Sequence, residues 1–217
     1  MSLTLYAHPF SSYCQKVLVA LYENELPFAY RSLEDPTAMA ELKARWPFAR
    51  FPLLVDSGHT VVESTIIIEH LMLQHGGRVR WLPQDPVAAL EVRFLDRFFD
   101  NDVMTAMQKP VFEALRTDGA RKDEAMAEAR RALGLAYGWL EQRLAGRTWA
   151  AGDRLSLADC AAAPSLFYAD WVHPIAAAFP TLRAYRARLL AWPAFARAVN
   201  EARPYRHYFP LGAPDRD

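Results

Sequence analysis

The sequence predicts an α/β half followed by an all-α half. Three observations predict it. Strand-like and helical apolar patterns alternate as far as Gln74, then Gly76-Gly77, Pro83 and Pro86 punctuate the chain, and beyond them only the helical period recurs. Residues 3–6 form a short apolar strand ended by His8-Pro9. From 12 to 23, Val17, Leu18, Leu21 and Tyr22 follow the helical repeat. A strand over 28–33 leads to a helix over 34–46, opened by Asp35 as N-cap with Pro36 just inside it. Residues 53–56 and 60–63 flank Ser57-Gly58-His59, a compact turn compatible with a hairpin. A very apolar helix over 64–74 completes β-α-β-α-β-β-α.

Residues 78–86 read as a linker. Helical patterns then cover 87–109, 121–144, 157–168, 181–190 and 194–201. Pro110 should kink or end the first, Asp118-Gly119 reads as a turn, and Pro180 and Pro193 suit the first turns of the last two. Within Leu155-Ser156-Leu157-Ala158-Asp159-Cys160, Ser156 and Asp159 have capping-box spacing, with Leu155 and Cys160 as the hydrophobic staple. The following residues are almost uncharged, so this helix should be central. Its cap is structural, and losing it should cost about 1–2 kcal/mol.

The 217 residues carry 52% hydrophobic and 23% charged side chains, enough for a sizeable core. The 25 basic and 25 acidic residues cancel, so no net field draws the chain to nucleic acid or an anionic membrane. MSLTLYAHPF has no signal-peptide pattern, and no apolar run has spanning length. Two cysteines, Cys14 and Cys160, fit a reducing compartment better than a disulfide framework. The six histidines are scattered, with His70 and His75 off a shared helical face, so no metal site is expected.

Three short segments carry the chemistry. In Ser11-Ser12-Tyr13-Cys14-Gln15-Lys16-Val17 a hydroxyl stands where the first strand turns into a helix, a position that favours an anion. Taken singly, Ser11 and Ser12 read as helix caps. Arg50-Phe51-Pro52-Leu53-Leu54 places a proline before a strand, with Arg50 equally well an exposed, solvated side chain. Glu63-Ser64 opens a helix with a hydroxyl and backbone amides suited to a carboxylate, or simply caps it. Cys14 sits in a degenerate C-x-x-C whose first position is serine, which argues against dithiol chemistry and for a packed thiol.

With these residues in place, the chain resembles the cytosolic glutathione transferases over nearly its whole length. S-S-Y-C-Q-K-V-L-V-A-L is similar to the S-S-C-x-W-R-V-R-I-A-L pattern of zeta-type members and to the S-x-x-C spacing of theta-type ones. The L-S-L-A-D cap looks like the family's folding signature. Tyr13 stands where zeta-type members have cysteine, and Phe51 where a valine usually precedes the proline, so no class is assigned. The resemblance implies a thioredoxin-like glutathione-binding domain over 1–78, a linker over 79–86 and a helical domain over 87–217. It implies a serine-type enzyme of bacterial type, with Ser11 stabilising the thiolate and Ser12 or Tyr6 as fallback donors. Glutathione as co-substrate would be held by Arg50, Phe51, cis-Pro52, Glu63 and Ser64, with no metal.

The second substrate, a small hydrophobic electrophile, should meet an apolar wall for which Phe10, Met104, Met107, Phe112 and Tyr208 are candidates, although such a stripe at helical spacing is more often core. A cytoplasmic homodimer acting in detoxification follows from the same resemblance, through the Phe94-Leu95 and Phe98-Phe99 band. The same thiolate could instead serve isomerisation, dehalogenation or peroxide reduction. A non-catalytic binding or scaffold protein on this fold is the third reading.

Overall fold

The computed structural model describes residues 2–116 and 121–217; the turn expected at Asp118-Gly119 lies outside them. A four-stranded sheet carries the first half: β1 (Leu3–Ala7), β2 (Ala29–Ser32), β3 (Leu53–Asp56) and β4 (His59–Val62), in spatial order β2-β1-β3-β4. β1 pairs parallel with β2, and β3 pairs antiparallel with both β1 and β4, with Tyr6 opposite Leu53. Helices α1 (Ser12–Glu23), α2 (Pro36–Arg45) and α3 (Ser64–Gln74) complete the predicted β-α-β-α-β-β-α order. Ser57 and Gly58 both have positive φ, 49° and 92°, so the β3–β4 turn is the two-residue kind whose twist matches a hairpin. Asp35 caps α2 through the Thr37 amide at 2.8 Å.

The second half contains α4 (Pro86–Phe98), a π-helical turn (Phe99–Met104), α5 (Thr105–Ala114), α6 (Lys122–Arg143), α7 (Leu157–Val172), α8 (Pro180–Ala191), α9 (Pro193–Ala202) and a closing 3₁₀ turn (Arg203–Tyr208). Of the kink or end expected at Pro110, the end does not occur: Pro110 lies inside α5. The irregularity sits upstream, where both the amide and the hydroxyl of Thr105 donate to the Asp100 carbonyl, an i→i−5 pattern that adds a residue to the turn.

One hydrophobic core runs through both halves, from Leu5 and Leu18 to Leu157, Phe167 and Phe195. The segment read as a linker is packed rather than loose. Trp81 and Leu82 are buried, and the Trp81 carbonyl accepts the Leu157 amide at 2.9 Å. Asn24 at the end of α1 bonds both the amide and the carbonyl of Val79, at 2.8 and 3.1 Å. Gly77 passes directly over Asn24 at φ 133°, where a Cβ would come within 2.3 Å of the amide carbon. Only glycine fits there.

α7 is the central helix, as its uncharged sequence implies, and it packs against α1 and α4. The capping box at its start is formed. Asp159, fully buried, accepts from the Ser156 amide (2.9 Å), the Ser156 hydroxyl (3.0 Å), the Ala150 amide (2.8 Å) and the Tyr185 hydroxyl (2.7 Å). No helix among the described residues is long and apolar enough to cross a membrane.

Candidate functional site

A cavity of about 1010 Å³ opens where the sheet meets α4 and the π turn. Ser11, Arg50, Phe51, Pro52, Glu63 and Ser64 all line it, so three segments spread over more than 50 residues converge on one wall. The local reasons differ. Ser11 is the N-cap of α1 in extended geometry, its oxygen accepting the Cys14 amide at 3.4 Å. That long cap bond uses a lone pair, so the O–H can still donate; capping and catalysis are compatible at this position. The Phe51–Pro52 peptide is cis, as the resemblance implies. Glu63 holds φ 69°, ψ 119° without a glycine's freedom, a conformation costing about 1–3 kcal/mol that clusters at functional sites. It sets Ser64 at the first turn of α3 with the helix N–H groups aimed outward.

The fallback donors are placed elsewhere. Tyr6 is buried in a small cluster with Leu42 and Leu53, and its hydroxyl donates to Glu41 at 2.8 Å. Ser12 is buried in the first turn of α1 and does not line the cavity. Cys14 is fully buried, its thiol pushed up to about 12 by desolvation, and it packs as an apolar residue.

The expected apolar wall needs correction. Met104 and Met107 are 1% and 4% exposed and belong to the core, because the helical face that carries them turns toward α6 and α7. Phe10 packs edge-on against Tyr168, whose hydroxyl donates to the Phe10 carbonyl at 2.8 Å. Tyr208 sits beside His8 and donates to Glu34 at 3.1 Å, away from the cavity lining. Of the five, only Phe112, 60% exposed, lines the cavity.

Several residues that sequence reasoning passed over stand in this wall. Trp46 ends α2, lines the cavity, and its buried indole N–H has no acceptor within the described chain. Tyr13, the departure from the zeta-type pattern, lines it too; burial first, then the nearby Asp100 charge, raises its hydroxyl to about 12, so it stays a neutral donor. Behind them lies a buried charge cluster. Lys16 of α1, 1% exposed, meets Asp96 at 2.6 Å, Asp100 at 2.8 Å and the Thr65 hydroxyl at 2.9 Å. Thr65 donates to Asp96 at 2.8 Å, and Arg97 reaches Asp96 and Asp100 at 2.8 and 2.7 Å from the cavity side. Burial raises the Asp100 carboxyl, and Lys16 opposes it. This cluster ties the helix capped by Ser11 to the one that begins at Ser64.

Two regions match known families: residues 5–79 match "Glutathione S-transferase, N-terminal domain" and residues 103–193 match "Glutathione S-transferase, C-terminal domain". FtsZ-localized protein A of Caulobacter vibrioides is 32% identical over 177 residues, 77% of each chain. A probable maleylacetoacetate isomerase of Vibrio cholerae is 28% identical over 213 residues, covering 94% of this chain and 98% of that protein. Among solved structures, a Methylobacterium radiotolerans glutathione S-transferase in complex with glutathione sulfonate superposes with a TM-score of 0.77 at 30% identity, over 92% of this chain and 95% of that one. A Nilaparvata lugens delta-class glutathione transferase shares the fold with a TM-score of 0.83 at 23% identity, over 96% and 99%.

Proposed function

The chain belongs to the glutathione S-transferase family, and on that premise we propose that it binds glutathione in the cavity at the sheet edge and activates its thiol for attack on a small hydrophobic electrophile. The convergence of Ser11, Phe51-Pro52 and Glu63-Ser64 on one cavity carries this reading. Ser64 and the α3 amides take the γ-glutamyl carboxylate, and Glu63 accepts from its ammonium. Phe51 offers its backbone to the cysteinyl residue. Arg50 serves the glycyl carboxylate. Phe112 and Tyr13 border the space left for the electrophile.

Ser11 donates to the sulfur. A free thiol near 8.5 is about 3% thiolate at pH 7, and a two-unit depression raises that to roughly 75% for about 2.7 kcal/mol of selective stabilisation. The weaker basicity removes about eight-fold of that ~25-fold gain. Activation alone thus gives roughly three-fold, and holding both reactants together must supply the rest.

Isomerisation is the second reading, favoured by the near-full-length similarity to a probable maleylacetoacetate isomerase. There the thiolate adds to a conjugated double bond, the adduct rotates, and glutathione leaves unchanged. The exposed Ile66, Leu73, Val87 and Leu90 of α3 and α4 support a homodimer, and the two free, buried cysteines support a cytoplasmic, reducing setting.

Calorimetry with glutathione, followed by assays with an aryl halide and with a cis-configured conjugated dicarbonyl, separates the readings. Ser11→Ala should raise the pKa of the bound thiol by about one to two units, lower turnover, and weaken glutathione binding at pH 7 by only about three- to four-fold, the part of the affinity linked to ionisation. No glutathione uptake at millimolar concentration would overturn the proposal and leave a binding protein on this fold.

A further inference from the structure

At the end of β3 remote from Pro52, outside the cavity lining, one carboxylate oxygen meets two imidazoles. Asp56 ends β3, His70 lies within α3, and His75 caps that helix. Asp56 Oδ2 stands 2.8 Å from His70 Nε2 and 2.7 Å from His75 Nε2, and the three atoms lie within 4.8 Å of one another. The five-residue separation of the histidines hides this arrangement from sequence spacing. His75 has left the helical path at φ −116°, ψ −18°, and the third group arrives from a strand.

We propose that Asp56, His70 and His75 form a binding site for a divalent cation of the zinc class. Two imidazole nitrogens and a carboxylate are ligands that such ions prefer, and three protein ligands leave a fourth, tetrahedral position for water. Metal–ligand bonds of about 2.0–2.2 Å require tetrahedral ligand atoms roughly 3.4 Å apart, so the oxygen must retreat from each nitrogen by about 0.6–0.7 Å. That is a side-chain adjustment.

The supporting groups are in place. The Ser57 hydroxyl donates to Asp56 Oδ1 at 3.2 Å, fixing the carboxylate from behind. Glu69, next to His70, is held by Arg93 at 2.7 and 3.0 Å and does not compete. The His70 and His75 side chains are 23% and 11% exposed, enough for an ion to enter from solvent.

Both imidazoles meet the same carboxylate oxygen through Nε2. Metal entry replaces these contacts by coordination. A ring that carries its proton on Nε2 moves it to Nδ1 as the ion takes Nε2, and no oxidation state changes. The bound ion would staple the β3–β4 turn to the last turn of α3, the helix whose first turn carries Ser64.

The test uses the full-length, untagged, metal-stripped protein. Titration with Co²⁺ should produce the visible absorption of a four-coordinate site at one equivalent, and Zn²⁺ should displace it. At Zn²⁺ 100-fold above Kd, the Tm should rise by about 5–10 °C. Asp56→Asn and His75→Gln, and His70→Gln should either of these fail to fold, should each weaken Zn²⁺ binding at least ten-fold. The inference is overturned if the unaltered protein shows no visible Co²⁺ spectrum, or if that spectrum survives both substitutions, since the metal then binds elsewhere.

Discussion

Asp159 and the Asp96–Asp100 pair are all buried carboxylates, yet the fold treats them in opposite ways. Each donor to Asp159 is neutral: two backbone amides and two hydroxyls, contributed by α8 and by the segment leading into α7. Burial raises its carboxyl against those four bonds. Asp96 and Asp100 instead face Lys16 and Arg97, with Thr65 between them, and one of those cations reaches the cavity. Neutral donors fixed in a helix cap make a scaffold with no route for a ligand to intervene. Ion pairs at a cavity wall leave a charge that an incoming zwitterion can share. The first arrangement belongs to folding, the second to the site.

Three single substitutions, one of them extended by a second change, test that division in descending order of effect. Asp159→Ala should be the most damaging, about 4–5 kcal/mol in urea unfolding, because several buried donors lose their acceptor at once. Lys16→Met should cost about 3 kcal/mol, less than a lone buried pair, because Arg97 remains to balance the two carboxylates. Adding Asp96→Leu to that variant should recover part of the loss. If Lys16→Met proves as costly as Asp159→Ala, the contrast between neutral and ionic satisfaction fails. Arg97→Gln should move stability by no more than about 0.5–1 kcal/mol, since its side chain is half exposed, while weakening glutathione binding roughly ten-fold by calorimetry. An unchanged Kd would detach the cluster from ligand recognition.

The contrast also marks how much the sequence disclosed. The Ser156–Asp159 cap was legible because its members lie three residues apart, and local spacing is what a sequence displays. Ser11, Pro52 and Glu63-Ser64 were legible because each punctuates an element boundary. The order of strands and helices followed from periodicity, with Pro110 as the exception: its helix absorbs it and the break falls at Phe99–Met104 instead. The Lys16 cluster was hidden because the partners of Lys16 lie 49 to 84 residues away, and nothing in K-V-L-V-A-L distinguishes a buried ammonium from a solvated one. Met104 and Met107 misled for a related reason. Helical spacing shows that residues share a face, whereas tertiary packing decides whether that face meets a core or a cavity. Trp46 carried no local signal at all; it reaches the cavity wall only because the end of α2 is folded against it.

Gly77, pressed onto Asn24 beside the anchored Trp81, has a kinetic corollary. A crossing that admits no side chain is a poor hinge, so the two lobes meet a ligand already assembled rather than closing around it. Capture should then proceed in a single concentration-dependent phase, its rate set by diffusion and orientation without a slower isomerisation behind it.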